Sequence, residues 1–539
     1  MSKQALQLIQ DAKINRSTYL DLGNCGLTEL PNELFELEWL EELFLCIEKR
    51  NYSLEKNKWI WFRTQNKGEK NNFKNLLSQS KHLKKSWFSN LFSKEKNSQL
   101  HQLKNLKNLK KLWINGEYSS GEWELRDLSP LKDLNQLQIL HISSTEIIDL
   151  SPLEGLTQLQ ELDIYNTEIS NLSALENLTE LKRLRIDNTK VTDLNSLKNL
   201  IQLQELFVYN TKISDLRPLE NLTQLQILDI SKTNVKELSP LKRLNQLRYL
   251  SIHDTKVTNL DPLKDLIQLK KLSAYSTGIS DFSPLKNLNQ LQILDIFITR
   301  VSDLSPLKDL VNLRNLNVSH TRGLELKNLS PLKNLIQLQE LSIAETHVSN
   351  LSPLKDLIQL EKIDIADTRV SDLSPLKNLN QLLKLNIEKT KVNDLSPLKD
   401  LYQLQELDIQ ETQVNDLSPL KDLINLKSLS LSDTQVNDLS PLKSLVNLEM
   451  LSLSNTQVED LSPLKKLINL ENLYVDNTQV SDLSPLKELI KKGVLVKYKR
   501  EGLYLGRGIR VIYCQLKNPP IEIVEQGNEA ILDYWEKEE

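Results

Sequence analysis

The apolar positions of this chain recur in fixed slots. From Leu137 onward, leucine, isoleucine and valine hold the same places in a 22-residue unit, seen clearly in "LQELDIQETQVNDLSPLKDLIN" from Leu404 to Asn425. The pattern LxxLxIxxTxVxDLSPLKxLxx is repeated sixteen times, with its threonine running from Thr145 to Thr478. One step departs from 22 residues: "TRGLEL", from Thr321, inserts three. The proline slot is filled at all but two units, where Ala174 and Ser196 stand instead.

Within a unit the period changes. Leu407-Asp408-Ile409 alternates apolar and polar, which predicts a short strand with one face buried. "DLSPLKDL" then predicts a helical turn, with Ser418 as its cap and Pro419 at its first position, where no N–H is needed. Leu417, Leu420 and Leu423 point inward. A strand and a short helical turn every 20–29 residues or so make a leucine-rich repeat. One unit cannot bury its apolar face alone, so stability comes from stacked neighbours. The expected fold class is therefore α/β: a curved leucine-rich repeat solenoid, with a parallel sheet on the concave face and helical turns on the convex face. The repeated threonine takes the ladder position of such repeats, where its hydroxyl is expected to satisfy backbone groups of the turn.

The unit with "PLKxLxxLxxL" resembles the internalin class of bacterial leucine-rich repeats over Leu137 to about Ile490. "LDLGNCGLTELPNELFELEWLEELFL", Leu20 to Leu45, is similar to another bacterial repeat type, with Cys25 in the ladder position as a buried structural thiol. Before it, "ALQLIQDAKINRST" reads as an amphipathic capping helix with Leu6, Ile9 and Ala12 on one side. The two ends together resemble Roco-type proteins, in which leucine-rich repeats precede a Ras-like GTPase; "NPPIEIVEQGNEAILDYW", Asn518 to Trp535, is similar to the joining segment. No glycine is followed by lysine anywhere in the chain, so the phosphate-binding GxxxxGK[ST] is absent and the resemblance implies no nucleotide chemistry here. Val524, Ile531, Tyr534 and Trp535 are expected to cover the last repeats, with "GVLVKYK" and "GIRVIYCQL" as terminal strands. Four segments follow: 1–46, a capping helix and first repeat; 47–111, an insertion; 112–490, the repeat array; and 491–539, a C-terminal cap.

Charge changes the picture in the insertion alone. The chain carries a formal net charge of −4, yet residues 47–111 hold 17 Lys and Arg against 4 Asp and Glu. Tyr52, Trp59, Trp61, Phe62, Phe73, Trp87, Phe88 and Phe92 are interleaved with these cations. Three readings stay open for this segment: a loop packed on the first repeats, contact with RNA, or contact with an anionic membrane.

Candidate chemistry is sparse. The six histidines form neither HExxH nor a Cys-His metal spacing, and the recurrent Asp of "DLSPL" is a repeated turn residue without a cleft. Cys514 lies in the apolar "VIYCQL" and reads as a core residue. The chain is expected to be no enzyme, to need no metal or other cofactor, and to take no small-molecule substrate. "MSKQALQLIQDAKINRSTYLDL" has no continuous apolar stretch, and three scattered cysteines make no disulfide framework, so a cytoplasmic setting is expected.

The variable slots are the third, fifth and seventh positions of each unit, which face out from the sheet. In repeats two to eight they carry Tyr165, Arg183, Arg185, Phe207, Tyr209, Tyr249, His253, Tyr275 and Phe297, and Trp113 extends the set if "LKKLWIN" is a strand. In the later repeats Tyr474 is the only aromatic. Tyr165, Tyr209, Tyr275 and Phe297 at position seven are expected to place aromatic area in water, as interaction sites do; lateral stacking along the sheet is the competing reading. The expected function is recognition of a protein partner on the concave face, in bacterial signalling or regulation. The alternatives are an internalin-like surface adhesin, or association with RNA or an anionic membrane through residues 47–111.

Overall fold

The computed structural model describes residues 2–23, 25, 30–45, 48–53, 58–63, 101–114, 126–321, 326–499 and 507–538. They fall into two compact units, Met1–Leu269 and Lys270–Glu539.

In the first unit, three-residue parallel strands follow one another from Tyr19–Asp21 to Tyr249–Ser251, each paired with the next in sequence. Leucines pair with leucines across the ladder, as in Leu184↔Leu206 and Leu206↔Leu228. All are fully buried. Between strands the "SPL" segments form short 3-10 turns, for example Ser151–Leu153. Strand Glu42–Phe44 pairs directly with Lys111–Trp113, so the segment between them leaves the register intact. Two antiparallel strands within that segment, Glu48–Ser53 and Lys58–Arg63, form a separate pair. The side chains proposed there for RNA or membrane contact, from Tyr52 to Phe92, lie outside the described residues.

At the N-terminus, helix Lys3–Asn15 is capped by the Ser2 Oγ, which accepts from the Ala5 N–H at 3.3 Å. It buries Ala5, Ile9 and Ala12. Leu6, expected on that face, is only half-buried: with 3.6 residues per turn the buried stripe passes through Ala5 instead.

The second unit repeats the arrangement from Lys271–Ser273 to Asn472–Tyr474. Across the one 25-residue step, Asn315–Asn317 still pairs in register with Glu340–Ser342. The strand Gly508–Arg510 then docks on Asn472–Tyr474, and Val496–Lys497 adds outside it. Gly508 has φ 148°, and a Cβ there would lie 2.5 Å from the Leu495 carbonyl oxygen, so only glycine fits. Val524, Ile531 and Trp535 are buried beneath the final turns, and Trp535 Nε1 donates to Asn518 Oδ1 at 2.7 Å. Tyr534 is half-buried.

Two polar columns secure the turns of both units. The threonine hydroxyl donates to the carbonyl three residues earlier, as in Thr167 to Ile164 (2.8 Å) and Thr412 to Ile409 (2.7 Å). The turn cap differs from expectation. The Asp two residues earlier caps the turn, accepting from the serine N–H: Ser418 N–H donates to Asp416 Oδ1 at 2.8 Å, and the Ser418 hydroxyl donates to Oδ2. The serine opens a 3-10 turn, and its oxygen is spent on this aspartate. Such bonds hold the Asp149, Asp303 and Asp394 carboxyls below the usual range, led in each case by the serine hydroxyl.

The residue before each threonine adopts the left-handed backbone in all sixteen repeats, with φ between 49° and 60°. Asn, Asp, Ser, Lys, Glu or His fills this place except at Ile298 (φ 55°). A β-branched residue is strained there because its Cβ crowds the following carbonyl. Ile298→Asn should therefore raise stability by about 1 kcal/mol, read as a higher urea midpoint with an unchanged slope; an unchanged or lower midpoint contradicts the strain.

Candidate functional site

Strand geometry puts the third, fifth and seventh positions on the outward face of the sheet. In the first unit that face is a charged lattice. Arg183 lies between Glu161 (3.6 Å) and Glu205 (3.5 Å), with its guanidinium 5.6 Å from the Phe207 ring centre. His141 Nε2 is 2.9 Å from Glu161 Oε1. Arg185 donates to Asp187 Oδ2 at 2.8 Å, approaches Asp163 Oδ2 at 3.5 Å, and stacks 4.2 Å over the Tyr165 ring. Asp187 also accepts from the Tyr209 N–H at 2.8 Å. Tyr209 packs against His253 (6.0 Å between ring centres) and under the Lys232 ammonium.

Burial dominates the electrostatics. It raises the Asp187 and Glu205 carboxyls, against the pull of Arg185 and Arg183 respectively. It pushes Asp229 up to about 6, with the Asp187 charge acting in the same direction. Desolvation lowers the His253 imidazole, although Asp254 at 3.1 Å favours its charged form.

The sites expected from sequence thus differ in accessibility. Tyr165 retains 9% of its surface, Phe207 and Arg185 2% each. The expectation that Tyr165 places aromatic area in water is corrected: the Arg185 guanidinium covers its ring. Arg183, Tyr209, Tyr249, His253, Tyr275 and Phe297 are half-buried. Trp113 is in a strand, buried against Phe44 and His141.

In the second unit Tyr275 and Phe297 stack at 4.3 Å with planes 18° apart. Beside them, burial pushes Asp295 up to about 6, opposed by the Lys271 charge. Its Oδ1 is buried without a hydrogen-bond partner. Later strands are more polar: Ser319 with Ser342 (2.7 Å), Ser432 with Ser452 (2.6 Å), and Lys384 with Glu406 (2.5 Å). Tyr474 lies under Arg510, which also pairs with Asp476.

Sequence reasoning missed two features. Position five often holds Asp or Asn for a local reason, since its side chain accepts the N–H two residues on: Asp163 from Tyr165, Asp229 from Ser231, Asp408 from Gln410. That recurrent Asx spacing was legible. A recurrent set of exposed apolar side chains also lies on the turns between the strands. Ile201 and Ile267 in the first unit, and Val311, Ile336, Ile358, Tyr402, Ile424, Val446 and Ile468 in the second, keep 44–56% of their surface. They follow the last leucine of "PLKxL", a slot whose repeated apolar character was readable. Cys514 is half-buried; its thiol donates to the Val475 carbonyl at 3.0 Å and burial pushes its pKa up. That leaves little thiolate for chemistry. Among the described residues no group of three or more His, Cys, Asp or Glu is arranged to hold a metal ion, and no helix is long and apolar enough to cross a membrane.

The family model described as "Leucine Rich repeats (2 copies)" matches residues 135–177, 157–199, 201–243, 402–444 and 446–488. The chain is built of leucine-rich repeats. No curated protein matches it in sequence. Among solved structures, an internalin (inlF) from Listeria monocytogenes is 28% identical at TM-score 0.50, covering 65% of this chain and 88% of that one. The functional domain of InlJ from Listeria monocytogenes is 20% identical at TM-score 0.51, covering 66% and 72%. The plant peptide hormone receptor RGFR1 in complex with RGF2 is 18% identical at TM-score 0.59, covering 86% and 78%. The last two share the fold of the leucine-rich repeats.

Proposed function

We propose that this leucine-rich repeat chain is a non-enzymatic recognition scaffold that binds a protein partner on the outward face of its sheet, in a bacterial regulatory or signalling setting inside the cell. Leucine-rich repeats are generally protein-interaction modules. The carrying observation is the distribution of half-buried aromatics: Tyr209 and Tyr249 in the first unit and Tyr275 with Phe297 in the second offer rigid, partly accessible rings, whereas most later repeats put Ser, Ala, Glu or Gln at the seventh position. Rings of this kind supply contact area at low entropic cost and are enriched among interface anchors. The peptide-bound state of the plant receptor supports an extended surface of this fold taking a polypeptide. The regulatory setting rests on the resemblance of both ends to Roco-type proteins.

Affinity capture from lysate of the source organism tests the proposal, with the intact chain beside Tyr209→Ala and Tyr275→Ala variants. One protein held by the intact chain and lost from either variant, with circular dichroism unchanged, is the expected outcome. Equal capture by all three, or lowered stability with capture intact, assigns the aromatics to the scaffold. The internalin likeness favours a second reading, a surface adhesin; protease treatment of intact cells separates the two, since an adhesin is shaved and a cytoplasmic scaffold is spared.

A further inference from the structure

The slot after the last leucine of "PLKxL" is polar in much of the chain, as at Thr157, Thr223, Asn245 and Asn289. From Val311 to Ile468 it is apolar in seven of eight repeats, Asn380 being the exception. The turn itself does not require an apolar residue. The N–H of the slot donates to the carbonyl two residues earlier at 2.9 Å in Thr223, Asn289, Asn380, Ile424 and Val446 alike. Nor is the side chain spent on the core, since the seven keep 44–54% of their surface. Adjacent turns are tied together, which sets these side chains in one column. Asn425 Nδ2 donates to the Tyr402 carbonyl at 2.8 Å, Asn447 Nδ2 to that of Ile424 at 2.8 Å, and Asn469 Nδ2 to that of Val446 at 2.9 Å. A contiguous apolar stripe on the order of a few hundred Å² marks an interaction site.

We infer that this column, on the turns of the second unit, is an interface between two copies of the chain. Charge selects a second copy as the occupant. The eight turns, from residues 302–312 to residues 459–469, carry 10 Lys against 11 Asp and Glu. An anionic membrane or a nucleic acid draws on an excess of cations, and this face has none to offer. Instead, Lys355 and Asp356 stand just before Ile358, and Lys421 and Asp422 just before Ile424; the Val311 and Tyr402 repeats have the same order. These four charged side chains are exposed, and among the described residues none of them forms an ion pair within the chain. A two-fold pair lays one patch against itself, so the patch must be its own complement. An apolar column with lysine and aspartate side by side along it meets that condition: the leucine-flanked aliphatic side chains cover each other, and the lysines of one copy meet the aspartates of the other. The flanking charged side chains also bring the buried face toward the roughly 800 Å² per partner of a stable interface. The strands take no part in this contact, so the inference stands apart from partner binding on the sheet.

Sedimentation velocity on the full chain, from low to high micromolar concentration, tests it. A species of twice the chain's mass should form and dissociate on dilution. Ile424→Asn combined with Val446→Asn should raise its dissociation constant by about a hundredfold, because each change is made twice in a symmetric pair. Ile201→Asn combined with Ile267→Asn, at the same slot in the first unit, should leave pairing unchanged. Charge reversal gives an independent readout. Lys355→Glu with Lys421→Glu, and Asp356→Lys with Asp422→Lys, should each weaken self-association, while the two variants mixed should pair with each other. A monomer at every concentration overturns the interface. So does equal weakening by the first-unit and second-unit pairs of substitutions, which would reduce the effect to general stickiness. The fold is checked at a concentration where all proteins are monomeric: the urea midpoint of Ile424→Asn with Val446→Asn should match the wild type, and a clear fall would assign the column to the scaffold instead. Binding to phosphatidylserine vesicles, lost with the same two substitutions and without any dimer, would assign it to a lipid surface and reject the second copy.

Discussion

Replacing Arg185 with alanine is expected to destabilise the first unit by about 3–5 kcal/mol, the cost of leaving buried charge uncompensated. The guanidinium is surrounded by Asp163, Asp187 and the Tyr165 ring. Its side chain retains 3% of its surface, that of Asp163 7% and that of Asp187 6%. Without it two acceptor-only carboxylates face each other in a poorly hydrated lattice, and Tyr165 loses its cover. Urea unfolding followed by circular dichroism reads the effect. Arg185→Met combined with Asp163→Asn and Asp187→Asn should recover most of the loss, because the charges then leave together. A loss under about 1 kcal/mol for Arg185→Ala would place the cluster among solvated surface pairs instead.

The second large effect has the opposite sign. Asp229→Asn should stabilise the protein at pH 7 by on the order of 3 kcal/mol, since burial lifts its pKa from 3.8 to about 6 and each unit is worth roughly 1.4 kcal/mol. Because the folded value is the higher one, the native state holds a proton that the unfolded chain has already released between pH 4 and 6 or so. Stability from this group therefore falls as pH rises through that window and stays low above it. Asparagine keeps the acceptor for the Ser231 N–H and hydroxyl, which Asp229 Oδ1 now serves, and removes the charge that faces Asp187. Denaturation midpoints at pH 4.5 and pH 7.5 check the prediction: the wild type should lose more stability than Asp229→Asn on going to the higher pH. Parallel shifts of both proteins would show that Asp229 is ionised without penalty.

Both predictions concern side chains that the sequence marks only as variable. Arg183, Arg185 and Asp229 stand in slots that stacking turns outward, and from sequence alone an outward slot reads as a solvated one. Their strands lie side by side in register, Arg183 opposite Glu205 and Asp163 opposite Arg185. Residues 22 apart thereby become contacts, and three-residue strands crowd long side chains into mutual burial. No periodicity argument ranks such neighbours, because their energy depends on which side chain covers which. The same crowding hid Tyr165 under Arg185 while leaving Tyr275 and Phe297 half-buried.

What the sequence determined by itself was everything that recurs. The 22-residue period, the leucine ladder, the parallel order of strands, the threonine bond to the turn and the C-terminal strands each follow from local pattern, since every repeat solves the same burial problem with the same residues. The tertiary structure alone decided what happens once: that Asp, in place of Ser, caps the 3-10 turn, that Asp295 ends with a spare acceptor, and that Ile298 is held in a strained conformation beside an aromatic stack. Those outcomes depend on packing between strands 22 residues apart, where a single substitution changes its neighbours' burial without changing the repeat.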